Sequence, residues 1–138
     1  MELADTSAWT NRAKSAAVDR EFAELLATGQ IATCDPVRME LLRSERDHAA
    51  VVGRRDDLDA LRAVPVGERV WRRALDVLEL FAGRGPLEHR RVPVPDLLVA
   101  AAAELAELTL LHYDRHFELI AAVTGQPVRA IAPLGSLG

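Results

Sequence analysis

Cysteine is almost missing: Cys34 is the only one in 138 residues, so no intrachain disulfide can form and no thiol framework fixes the redox compartment. Lysine is as scarce. Lys14 stands alone among 17 basic residues, the others being arginine. Arginine is the better bidentate partner for phosphate, although a GC-rich coding bias gives the same excess. No long hydrophobic run exists, since Leu97 to Ala103 is far too short to cross a bilayer. The start, M-E-L-A-D, lacks the basic and apolar segments of a signal peptide, and a cytoplasmic location with no membrane partner is the expectation. There is no G-x-x-x-x-G-K-[ST] for nucleotide and no G-x-S-x-G for acyl transfer. Internal repeats, low-complexity tracts and linkers are also lacking.

What is present describes one soluble domain. The chain is 49% hydrophobic and 28% charged, a globular balance with enough length to bury a core. Its net charge of −4 does not announce nucleic acid, but a sum hides local fields. Residues 1–134 are expected to form the domain, with 135–138 a flexible tail.

The organising stretch is Pro95 to Ile120. Asp96 follows Pro95 and precedes Leu, Val and Ala, the pattern of an acidic N-cap opening a buried helix. Thr109 to His112 predicts a short apolar strand, and Asp114 then opens a second helix. Upstream, Leu3 and Ala4 predict a first strand ending at Asp5, with helical periodicity from Thr6 to a stop at Gly29. Ile31 to Cys34 is a second strand, and Asp35-Pro36 opens a helix carrying Val37, Leu41 and, at the edge of its apolar face, Glu40. Arg43 to Arg62 is a charged helical stretch. Ala63 to Val66 is a third strand, confined to an edge by Pro65. Glu68 to Phe81 is amphipathic, Glu88 to Val94 a loop, and Pro127 to Ala132 a last strand. Strands alternating with helices imply a mostly parallel sheet covered on both faces, an α/β/α sandwich.

Asp5, Asp96 and Asp114 are each plausible helix caps, and Glu40 alone could be a solvated helix residue. Their joint placement says more. If the fourth strand returns beside the first, Asp5 and Asp114 flank the topological switch point at the carboxyl edge, where ligands bind. Asp96 and Glu40 project towards the same edge. Several carboxylates so close repel unless a cation joins them, and oxygen ligands suit Mg²⁺ or Mn²⁺.

D-T-S-A-W at Asp5 to Trp9, R-M-E-L-L around Glu40, P-D-L-L-V-A-A-A-A from Pro95 and H-Y-D-R-H-F-E-L-I-A from His112 together resemble the PIN domain. They look in particular like VapC-type toxins, the ribonuclease halves of bacterial toxin–antitoxin pairs. That resemblance implies a PIN-like sheet of order 3-2-1-4-5 and a metal-dependent endoribonuclease. Asp5, Glu40, Asp96 and Asp114 map to its Mg²⁺ or Mn²⁺ site, and Ser7 to a supporting hydroxyl. It further implies an RNA substrate, a small VapB-like antitoxin, and a homodimer. Many relatives carry another acid two residues after the fourth, where this chain has His116, so a second metal would be weakly held. Arg43, Arg46, Arg90, Arg91 and Arg115 are candidate phosphate contacts. His112 and His116 are assigned polar rim roles. The all-round apolar run Ala100 to Ala103 predicts cover by a partner subunit as well as by the sheet. The rivals are a catalytically degenerate PIN-like binding module and an aspartate-based phosphotransfer domain, for which Lys14 is poorly placed.

Overall fold

Two of the predicted strands, Ile31–Cys34 and Thr109–His112, have the bounds expected of them in the computed structural model, which describes residues 1–138. The sheet consists of β1 (Glu2–Ala4), β2 (Ile31–Cys34), β3 (Arg62–Val64), β4 (Thr109–His112) and β5 (Val128–Ala130). All neighbours pair in parallel, in the order β3-β2-β1-β4-β5. Leu3 lies between Ala32 on β2 and Leu110 on β4. Strand order reverses at β1 and β4, so Asp5 and Asp114 follow the two strands that flank the switch point.

Strand alternation sends side chains to two apolar layers. Leu3, Ala32 and Leu110 join Val37, Leu41, Phe117 and Ile120 on one face, while Ala4, Ile31 and Leu111 meet Phe22 on the other. The result is the expected three-layer sandwich.

The helices differ from expectation at their breaks. The periodicity up to Gly29 is divided into α1 (Thr6–Asn11), a 3-10 turn at Arg12–Lys14, and α2 (Ala16–Ala27). Ser15 restarts the helix by accepting the Val18 N–H at 3.3 Å. The fold-back sets the Trp9 ring edge-on to Phe22, centroids 5.0 Å apart. The charged stretch is likewise divided, into the end of α3 (Asp35–Arg43) and α4 (His48–Asp59). Asp47 caps α4, its Oδ1 accepting the Ala50 N–H at 2.9 Å. Asp47→Ala is expected to destabilise the chain by about 1 kcal/mol in urea unfolding, with no effect on activity.

The remaining helices are α5 (Glu68–Ala82), α6 (Val94–Leu105) and α7 (Arg115–Thr124). Gly125, at φ 73°, ends α7 in the left-handed conformation that suits glycine. Asp96 does not cap α6: Pro93 is the residue before the helix, and Asp96 is its third residue. Ala100 to Ala103 are fully covered within the chain. The sheet lies on one side, and α5 supplies Val70, Ala74, Val77 and Phe81 to the same core. The run therefore has an internal partner and carries no argument for a second subunit. No helix is long and apolar enough to cross a membrane.

Candidate metal centre

Each acid is positioned by the local chemistry of an element's end. Asp5 leaves β1 and caps α1: its Oδ2 accepts the Ser7 N–H at 2.9 Å and the Ser7 hydroxyl at 2.6 Å. The same hydroxyl oxygen accepts the Tyr113 N–H at 2.9 Å. Ser7 thus ties the end of β1 to the segment just before Asp114. Asp114 caps α7, with Oδ1 accepting the His116 N–H at 2.9 Å. Asp96 comes from the first turn of α6, where a carboxylate is favoured by the helix N-terminus. Glu40 lies on α3 and is exposed.

His112 was expected at the polar rim; it is fully buried. The Asp114 N–H can only donate, so His112 Nδ1, 3.1 Å away, accepts. The proton then sits on Nε2, which donates to Glu118 Oε1 at 3.1 Å. Burial lowers the His112 pKa, in keeping with a neutral ring that orients the Asp114 turn. This role was missed, although a signal existed: in a strand, residues two apart share a face, and Leu110 is a core residue.

His116 also departs from a simple rim position. Its Nδ1 is 3.0 Å from Asp96 Oδ2 and 3.2 Å from Asp114 Oδ1. One ligand atom from each of Asp96, Asp114 and His116 falls within 4.8 Å of the others.

Electrostatics link the remaining acids to this cluster. Asp5, only 4% exposed, has its pKa raised by burial and by the charge of Asp114. Asp96 is pushed up to about 6 by burial and by the Asp5 charge, against the favourable hydrogen bond from His116. Glu40, exposed on its outer side, is raised by partial desolvation of its inner side and by the Asp5 charge. Cys34, buried beneath, is pushed up to about 12 by burial and stays a thiol with no nucleophilic character. Such carboxylates must hold protons or gather a cation. Their oxygens, with one imidazole nitrogen, are a donor set that fits a divalent ion.

The five arginines are less closely placed. Arg91 pairs with Glu88 at 3.0 Å and Arg46 with its neighbour Asp47 at 3.5 Å. Arg43, Arg90 and Arg115 are exposed.

Comparison with known proteins follows the same lines. The family model described as PIN domain matches residues 3–123. Ribonuclease VapC18 of Mycobacterium tuberculosis is 41% identical over 133 residues, spanning 96% of each chain. Ribonuclease VapC21 of the same species is 37% identical over 137 residues, covering 97% of this chain and 96% of the relative. Among solved structures, a DNA-bound VapBC from Salmonella typhimurium superposes with a TM-score of 0.72 at 16% identity, over 96% of this chain and all of that one. A toxin–antitoxin complex from Klebsiella pneumoniae gives 0.71 at 16% identity, over 96% and 98%. At those identities the two structures speak for the fold.

Proposed function

The chain belongs to the PIN domain family, and from that premise we propose that it is a VapC-type toxin, an endoribonuclease that hydrolyses RNA phosphodiester bonds with Mg²⁺ or Mn²⁺. The observation that carries this function is the burial of Asp5 beside the charge of Asp114, while its own charge raises the pKa of Asp96 and Glu40, an arrangement unfavourable without a cation. Near-full-length relatives named ribonucleases supply the reaction class.

A bound divalent ion would supply activated water and counter-charge for the phosphate. Asp5, Asp96 and Asp114 would hold it, with Ser7 fixing Asp5 and His112 fixing the Asp114 turn. Glu40, on the open side, would ligate the ion or orient the attacking water. The water oxygen would bond to phosphorus as the P–O bond to the leaving ribose oxygen breaks. The water would give up one proton and the expelled oxygen take one up as a hydroxyl, with no covalent adduct to the chain. Arg43 and Arg46 beyond Glu40, Arg90 and Arg91 ahead of α6, and Arg115 at the start of α7 would bind flanking phosphates.

The proposed partners are RNA, a small VapB-like antitoxin and a second copy of the chain, all in the cytoplasm. Trp71 and Leu75, one turn apart on α5 and 50% and 61% exposed, offer apolar surface for a protein partner.

Incubation of the purified chain with labelled RNA tests the activity. Cleavage is expected with Mn²⁺ or Mg²⁺ and is abolished by EDTA. The new ends should lack 2′,3′-cyclic phosphate, because water and not the 2′-hydroxyl attacks. Cleavage that persists in EDTA and leaves cyclic ends would refute the metal-dependent route.

A further inference from the structure

The one nitrogen in the cluster is the feature that the acids alone do not explain. His116 follows directly on the cap of α7, and its backbone N–H is held by Asp114 Oδ1 at 2.9 Å. That hydrogen bond holds the His116 backbone at the helix start, and the side chain, 24% exposed, sets its ring beside the carboxylates. Nδ1 stands 3.0 Å from one Asp96 oxygen and 3.2 Å from one Asp114 oxygen. Two neighbouring ligands of an octahedral ion, with bonds of about 2.1 Å at right angles, are about 3 Å apart. The same spacing that lets Nδ1 hydrogen-bond to Asp96 here also suits neighbouring ligands of one ion, so exchanging the shared proton for a cation requires no change of fold.

We infer that His116 is a direct nitrogen ligand of the centre and biases it from Mg²⁺ towards Mn²⁺. The inference rests on the nuclease function proposed above and deepens it. Mg²⁺ demands hard oxygen donors and gives up water reluctantly. Mn²⁺ shares the preference of Mg²⁺ for oxygen donors, but as a transition ion it takes a nitrogen donor more readily than Mg²⁺ does. An imidazole ligand also brings no negative charge where a third carboxylate would bring one, which costs the hard ion most. Without an ion Nδ1 donates to Asp96 Oδ2; as a ligand the ring would carry its proton on Nε2 instead, freeing the Nδ1 lone pair for the ion.

Pulsed electron paramagnetic resonance of the full chain loaded with Mn²⁺ alone decides the question. A strong ¹⁴N coupling from a bound imidazole is expected in the unmodified protein. His116→Asp should bind Mn²⁺ without that coupling, although His112 is still present. Calorimetric titration with each ion should show the Mn²⁺:Mg²⁺ affinity ratio falling by about tenfold in that variant. His116→Gln repeats the spectral test if the aspartate variant does not fold. Mn²⁺ binding without ¹⁴N coupling, or coupling unchanged in the variants, overturns the inference and leaves the nuclease function standing. Failure to bind Mn²⁺ at all overturns both.

Discussion

Asp96→Asn is expected to reduce RNA cleavage by about three orders of magnitude while the chain stays folded. Charge stabilisation by a metal centre contributes several kcal/mol to such a reaction, and about 1.4 kcal/mol corresponds to each tenfold in rate. Asp96 is the point of greatest leverage for a structural reason. It lies on the first turn of α6, 17% exposed, with one oxygen directed to His116. The neutral amide keeps the shape but withdraws one of the proposed anionic ligands. The fold has little cause to change, because α6 is anchored by buried residues from Leu97 to Ala103, none of which touches the substitution's chemistry. Cleavage of labelled RNA at saturating Mn²⁺, beside far-UV circular dichroism, measures both halves of the expectation. Activity within tenfold of the unmodified chain would remove Asp96 from the ligand set.

The parts of this arrangement that could be foreseen are those written in local chemistry. Asp5 and Asp114 each follow a short apolar strand and open a helix, and both accept backbone N–H groups as caps. A mostly parallel sheet followed from strands alternating with helices, its order from the family resemblance, and the structure pairs every strand in parallel. Other features depend on tertiary packing and leave weaker traces. The interruption at Arg12–Lys14 has no glycine or proline to announce it, only Ser15, and is set by the contact of Trp9 with Phe22. Pro95 and Asp96 look like a helix opening, yet α6 begins at Val94, after the extended Pro93, because Pro95 in the first turn has no N–H to leave unpaired. The alanine run could not reveal that α5, some 20 residues earlier, would cover it. Burial of His112 was legible in the alternation of β4, but a titratable side chain at a strand end argues for solvent unless its partners are known. Here they are Glu118 and the Asp114 N–H.

The second large effect is an inversion of stability between chelator and metal. Asp96 has its pKa raised from 3.8 to about 6. A raised carboxylate stabilises the fold fully only below its unfolded value, and that contribution is lost as pH rises through the folded one. In EDTA, therefore, the unmodified chain should lose stability between about pH 4 and pH 6 relative to Asp96→Asn, which has no proton to release at this position. The full interval would correspond to roughly 3 kcal/mol at 1.36 kcal/mol per pKa unit. Screening by water and the proximity of His116 reduce this to about 1–2 kcal/mol, or a gap in Tm of about 3–6 °C in favour of the variant at pH 7. Asp5 and Glu40, whose pKa values are also raised, contribute in the same direction to both proteins and largely cancel from the difference. Metal reverses the order. An ion at about 100 times its Kd stabilises the unmodified chain by about 2.7 kcal/mol, and the variant, lacking a central ligand, should gain far less. Thermal melts of both chains across pH 4–7, with EDTA and with millimolar Mn²⁺, would display the crossing. If the two melting curves run parallel in chelator at every pH, Asp96 carries no charge strain, and the case for a cation drawn in by crowded carboxylates fails at its source.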